Sequence, residues 1–136
     1  MAESHAIKDL ANEAYVSLAT FRRNGHAVET PVWFAIVAGK LSVVTDGTSA
    51  KVKRLRATKR VRLAPCNAWG RVSGDWIEAT GRVLKDARSI ERAHAALCEK
   101  YGWQMWLLDV TSRLFGRYGR RAYLELSIEP AAAAAE

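Results

Sequence analysis

Cysteine is scarce in this chain, with two in 136 residues, and Cys66 and Cys98 lie too far apart in sequence to suggest a disulfide framework or a metal knuckle. Both are expected as small buried or half-buried residues. Long hydrophobic runs are missing too: no window approaches the roughly 18 unbroken apolar residues that a membrane span needs. The opening MAESHAIKDLANEAY carries acids and no apolar core of signal-peptide type, which points to the cytoplasm. Neither GxxxxGK[ST] nor GxGxxG occurs, so a Walker-type loop and a dinucleotide fingerprint are both excluded. His5, His26 and His94 fall in three separate elements without an acidic cluster beside them, and no metal site is expected. No serine sits in a nucleophile elbow and neither cysteine has a local reason for a depressed pKa, so no catalytic side chain can be named. Any chemistry here would be borrowed from a cofactor.

Acidic residues are also in deficit, 14 Asp and Glu against 21 Lys and Arg, for a formal charge of +7. That excess repels itself unless an anion compensates, so the partner is expected to be nucleic acid, an acidic lipid surface or a polyanionic small molecule. With 49% hydrophobic and 26% charged residues the composition is globular, and the length suits a single domain over 1–130 followed by a disordered alanine-rich tail, 131–136.

What is present centres on Thr45 to Cys66, TDGTSAKVKRLRATKRVRLAPC. A small-residue loop leads into a short helix, Ser49 to Ala57, with Lys51 and Arg54 on one face and Val52 and Leu55 on another. Exposed N–H groups at the helix start, hydroxyls of Thr45, Thr48 and Ser49, and cations one turn on would converge on one anionic group. A solvated basic face is the plain alternative, but such a face has no need of hydroxyls and Gly47 ahead of its first turn. Nucleic-acid binding is disfavoured, because the five tryptophans lie far from the basic run and no RNP-like or helix-turn-helix pattern appears.

Around this segment Ser4 is expected to cap a helix to about Asn12, with Ile7, Leu10, Ala11 and Ala14 in one apolar stripe. Tyr15 to Phe21 alternates as a strand, and Arg23-Asn24-Gly25 turns into a second strand, Ala27 to Val37. Pro31 in that strand marks an edge, a bulge or a barrel rim. Further strands are expected at Leu41 to Thr45, Val61 to Asn67, Trp76 to Leu84 and Ala122 to Ile128. A helix runs from Ser89 to about Lys100, and Gly102 interrupts it before an aromatic stretch through Trp103, Trp106 and Phe115. Six strands with three short helices favour a mainly β fold, a small antiparallel barrel. Trp33 suits either a planar-ligand pocket or the core, and Tyr101, Trp103 and Trp106 suit a helix packed over the barrel.

Three motifs in this order, Thr30-Pro31-Val32-Trp33-Phe34, then Thr45 through Lys51-Val52-Lys53-Arg54-Leu55-Arg56, then Val61-Arg62-Leu63-Ala64-Pro65-Cys66, resemble the pyridoxamine-phosphate-oxidase-like split β-barrel superfamily of FMN-binding-protein-like folds. With Lys100-Tyr101-Gly102-Trp103-Gln104, they look most like its actinobacterial branch of oxidoreductases using the deazaflavin coenzyme F420. The likeness runs from about Tyr15 to Ile128. It implies a homodimer with cofactor sites near the dimer interface. By position, Lys51 and Arg54 would hold the cofactor phosphate with help from Thr45 and Ser49. Pro31, Val32 and Trp33 would pass along the ring system, and Ala64 and Pro65 would form pocket wall. Many relatives carry Asn-Pro or Asp-Pro after the basic helix where this chain has Thr58-Lys59, so its stop is less sharply encoded. FMN is the alternative cofactor, and a binding protein without turnover the alternative role. The extra cations Lys53, Arg56, Lys59 and Arg60 favour the deazaflavin, whose phosphodiester and oligoglutamate tail make a longer polyanion. The activity implied is hydride transfer to a small or planar electrophile.

Overall fold

The computed structural model describes residues 10–47, 49–116 and 118–128. Of the helix expected after Ser4, only its end lies among them: Leu10 and Ala11 are helical, and the Leu10 side chain is buried. The alanine-rich tail lies outside the described residues. Seven strands form one antiparallel sheet: β1 (Tyr15–Phe21), β2 (Ala27–Val32), β3 (Phe34–Val37), β4 (Lys40–Asp46), β5 (Arg60–Cys66), β6 (Ile77–Val83) and β7 (Arg121–Ile128). Their order across the sheet is β2-β1-β5-β6-β7-β4-β3. This is the mainly β, antiparallel fold expected from the alternation of the strands, and it is consistent with the split barrel that the resemblance implies.

Ala27 to Val37 is not one strand, as its composition suggests, but two. At Trp33 the chain leaves β2, which pairs with β1, and enters β3, which pairs with β4. The two edge strands of the sheet are therefore consecutive in sequence, and the sheet is rolled. Pro31 sits opposite Ser17 on β2, which has a neighbour on one side only, the place where a residue without an N–H is tolerated. Tyr101 braces the break. Its hydroxyl accepts from the Phe34 N–H at 3.0 Å and donates to the Ala14 carbonyl at 2.7 Å, while its ring stacks on Trp33 with centroids 4.4 Å apart.

Alternation along the strands sends Val16, Leu18, Phe34, Leu41, Val43, Leu63, Leu124 and Leu126 into the barrel, all fully buried. Helix α1 (Ala50–Ala57) joins this core through Val52 and Leu55, as its spacing predicts. It stops where expected without Asn-Pro or Asp-Pro, because β-branched Thr58 takes an extended backbone and its N–H caps the Arg54 carbonyl at 2.9 Å. Helix α2 (Ala87–Tyr101) begins at Asp86, whose carboxylate accepts from the Ser89 N–H at 2.9 Å. It lies outside the barrel, packing Leu97 and Tyr101 against Ala35 and Tyr123 of the sheet.

The aromatic stretch after Gly102 is a further helix, α3 (Trp103–Leu114), the helical setting expected for Trp103 and Trp106. Gly102, at φ 56°, ends α2 and accepts from the Met105 and Trp106 N–H groups. The inward stripe of α3 is Met105, Asp109 and Ser112, so two of its three buried positions are polar and the apolar period is masked. Trp103, Trp106, Leu107 and Leu114 stand exposed on the other side, rather than packed over the barrel.

One buried cation accompanies this packing. Lys100 Nζ lies 3.4 Å above the Phe34 ring centroid, is shielded from solvent, and has no hydrogen-bond partner. Burial lowers its pKa from 10.5 to about 8, against a weaker upward pull from Glu13. Between those values the unfolded chain holds a proton that the folded chain releases, so stability rises with pH across that window. Lys100→Met is expected to be more stable than the parent near neutral pH and to lose most of that rise. Urea denaturation of both proteins from about pH 7 to about pH 9.5 checks it, and parallel profiles would refute it.

Candidate functional site

The loop ahead of α1 is held by backbone hydrogen bonds on both sides. β4 ends at Asp46, whose carbonyl accepts from the Ser49 N–H at 3.0 Å, and the Gly47 N–H donates to the Arg120 carbonyl at 2.6 Å. A Cβ on Gly47 would lie 2.6 Å from that same carbonyl oxygen, so the close approach of the two loops requires glycine. Ser49 stands at the N-cap with an extended backbone, yet its hydroxyl does not cap the helix. That Oγ is buried and has no partner. An orphan hydroxyl beside uncapped N–H groups is an unmet demand for an acceptor, which a ligand oxygen would satisfy.

Two cations of α1 follow, Lys51 within the first turn and Arg54 one turn on. Lys51 is half-buried, and burial lowers its pKa, with Arg54 adding to the effect and Asp46 opposing it. Arg54 donates Nε to Thr20 Oγ1 on β1 at 2.8 Å, which fixes the guanidinium and leaves its terminal nitrogens for other acceptors. Arg54 and Lys53 then line a groove of about 530 Å³ together with Phe21, Arg22, Arg23 and Arg60. Arg60 is partly committed, bonding Glu78 at 3.1 Å and lying 4.4 Å over the Phe21 ring. Arg56 and Lys59 face a different groove, shared with Arg82 and Lys85. The surplus cations are thus divided between two sides of α1.

The remaining sequence-derived positions are distributed as follows. Pro31 and Ala64 both pair with Ser17, so the three form one rung across β2, β1 and β5. Ala64 is fully buried, Pro31 half-buried, and the Ser17 hydroxyl is buried without a partner. Val32 and Pro65 share the next rung through Val16; Val32 is turned into the core, and a Cβ on Gly74 would lie 2.6 Å from Pro65 Cγ. From the Ser17 rung to Thr20 is three residues along β1, about 10 Å. Trp33 lies on another side, stacked on Tyr101 and lining an apolar groove with Trp103, Leu107 and Leu108. Thr45 faces Leu108, Ser112 and Arg121 near α3 and does not line the Arg54 groove.

Sequence reasoning missed Thr20, Arg22 and Ser17. The first two belong to the first hairpin, whose register carries them to α1; the available signal was that alternation points Thr20, like Leu18, into the barrel. Ser17 is invisible from sequence because only the pairing of β1 with both β2 and β5 puts it between Pro31 and Ala64.

The sequence matches the family pattern of pyridoxamine 5'-phosphate oxidase over residues 4–132. No curated protein matches it. Among solved structures, a conserved hypothetical protein of Mycobacterium tuberculosis, Rv2991, superimposes with a TM-score of 0.70 at 18% identity, covering 96% of this chain and 82% of that one. A FAD-binding protein of Mesorhizobium loti gives 0.63 at 16% identity, with 96% and 90% covered. HutZ, a heme storage protein of Vibrio cholerae, gives 0.68 at 12% identity, with 96% and 90% covered. At these identities the likeness is one of fold. Among the described residues no helix is long and apolar enough to cross a membrane.

Proposed function

Because the chain belongs to the pyridoxamine 5'-phosphate oxidase family, we propose that it is a cofactor-dependent oxidoreductase of the deazaflavin-using branch, working as a homodimer. The observation that carries this reading lies along α1: at its start the buried Ser49 hydroxyl has no partner, and further along Arg54 lines a groove with Arg22, Arg23, Lys53 and Arg60, a groove that neither Ser49 nor Lys51 lines. A lone phosphate needs one clamp. A phosphodiester followed by a chain of carboxylates needs a cationic track, and the groove at Arg54 offers four further cations, Arg22, Arg23, Lys53 and Arg60.

In this reading Ser49 and the first N–H groups of α1 bind phosphate oxygens, and Lys51 and Arg54 neutralise their charge. Thr20 holds the Arg54 guanidinium so that its fork faces the ligand. The Pro31–Ser17–Ala64 rung lies about 10 Å from Thr20 along β1 and, three residues off, on the opposite face of the strand, so it would offer its wall of small residues to a ring system from the outer side of the sheet. Thr45, which faces Leu108, Ser112 and Arg121 at α3, has no part in this reading. When bound and reduced, the deazaflavin supplies a hydride. The protein's residues orient, bind and exclude water, with no side chain assigned to acid or base work.

The FAD-binding fold neighbour gives FMN a place as the second reading. Titrating the purified protein with F420 and with FMN side by side, by fluorescence quenching, separates the two. Tighter binding of F420, followed by oxidation of the reduced form with a quinone, enone or tetrapyrrole acceptor, is expected. Tighter FMN binding would replace the first reading with the second, and F420 binding without turnover would leave a carrier.

A further inference from the structure

Helices α2 and α3 meet through a polar cluster that the cofactor site does not use. His94 and Cys98 stand one turn apart on α2, a spacing the sequence reading passed over, and Asp109 reaches them from α3. His94 Nε2 lies 2.8 Å from Asp109 Oδ2, Cys98 Sγ lies 3.6 Å from the same Nε2, and the ligand atoms of all three fall within 4.8 Å of one another. The other Asp109 oxygen accepts from Arg121 at 2.6 Å, and Arg121 in turn donates to the Ser112 hydroxyl at 3.0 Å. None of the three donors lines the Arg54 groove.

We propose that His94 Nε2, Cys98 Sγ and Asp109 Oδ2 form a binding site for a zinc-class divalent cation, with water as the fourth ligand. A tetrahedral zinc with Zn–S of about 2.3 Å and Zn–N of about 2.05 Å requires a sulfur–nitrogen edge of about 3.6 Å, which the pair already has, although Sγ also lies 3.8 Å from Nδ1 and must swing away from that side of the ring to share an ion on the Nε2 lone pair. The nitrogen–oxygen edge must open by about 0.5 Å, to about 3.3 Å, and the bound cation takes the place of the proton now shared between those atoms. Thiolate with imidazole selects a borderline-soft ion over magnesium or calcium. Arg121 and Ser112 provide the outer hydrogen bonds that fix a ligating carboxylate. One thiolate and one carboxylate cancel the charge of the dication, so the Arg121 cation beside the site is tolerated. The His94 side chain is 29% exposed and that of Asp109 12%, leaving a route in from solvent. A bound ion would staple α3 to α2 at the position where α3 has replaced apolar contacts by Asp109 and Ser112.

Cobalt(II) added to the full-length protein is the direct probe. Intense visible bands of a four-coordinate ion, with a thiolate-to-cobalt charge-transfer band in the near ultraviolet, are expected to saturate at one ion per chain and to vanish on addition of zinc. Cys98→Ser should abolish the charge-transfer band, and His94→Gln should weaken binding by about tenfold or more, with circular dichroism confirming both folds. Cys66→Ser should leave the spectrum intact. Only weak six-coordinate absorption, or a charge-transfer band that survives Cys98→Ser, would overturn the proposal. A thermal midpoint raised by zinc in the parent but not in Cys98→Ser is the second readout.

Discussion

Lys51→Ala combined with Arg54→Ala is expected to weaken F420 binding by about 100-fold or more, since each charge-assisted hydrogen bond to a phosphate contributes about 1.5–3 kcal/mol. The fold should hardly notice. Removing Lys51 also removes a cation whose charged form is disfavoured, first by burial and then by Arg54. That gain offsets the loss of the Arg54 bond to Thr20, a buried hydroxyl that would be left with one partner fewer. A matched control sits across the helix: Arg56→Ala with Lys59→Ala removes the same charge from the other groove and should cost only a few-fold. Fluorescence titrations at two salt concentrations decide the matter. The affinity of the parent should fall with salt and that of the Lys51/Arg54 variant much less. Equal affinity in the parent and this variant would remove the phosphate assignment, and equal losses in both double variants would reduce the site to diffuse attraction.

Gly81→Val is expected to be the most damaging single substitution at the base of the same helix. Gly81 is buried on β6, and a Cβ there would lie 2.8 Å from Leu126 Cδ2 and 3.0 Å from Leu55 Cδ1. Leu55 and Val52 are the side chains that seat α1 in the barrel, so the added methyls must either displace the helix or distort the core. Overpacking of this kind costs about 1–3 kcal/mol, partly offset by the better strand propensity of valine. A fall in thermal midpoint of about 5 °C is expected. Because α1 carries Lys51 and Arg54, cofactor affinity should fall with it. Leu55→Ala in the same chain should restore part of both losses, and strictly additive effects of the two changes would show that the glycine is not spacing the helix.

Alternation and turn residues made most strands legible from sequence, since period-two burial and the Arg23-Asn24-Gly25 turn are local properties. The break at Trp33 was not, because nothing in Thr30 to Phe34 reveals that a hydroxyl from Tyr101, 67 residues on, will take the Phe34 N–H. The bounds and inward face of α3 escaped for a related reason: Asp109 and Ser112 occupy its inward stripe and find their partners, Arg121 and His94, only in the assembled fold. At the site, the shared face of Lys51 and Arg54 could be read from helical spacing. The placement of Thr45 could not, since a residue at the end of β4 can turn toward either neighbouring helix, and the sheet directs it to α3.

The position of β7 bears on how the chain reaches this state. Strands β6 and β4 each pair with β7 and not with one another, so the last strand of the described chain is a central one. Thr45 must wait for Ala122, and Ala79 for Ile128. During synthesis, β1, β2, β5 and β6 can form a four-stranded piece, and β3 and β4 a separate hairpin, each with an open ladder until β7 emerges. Closure then makes two long-range pairings at once, a high-contact-order step and a slow one. The interval before it is when the exposed ladders are open to other chains, so aggregation of a stalled or truncated nascent chain should track the absence of β7 more than any loss of interior packing.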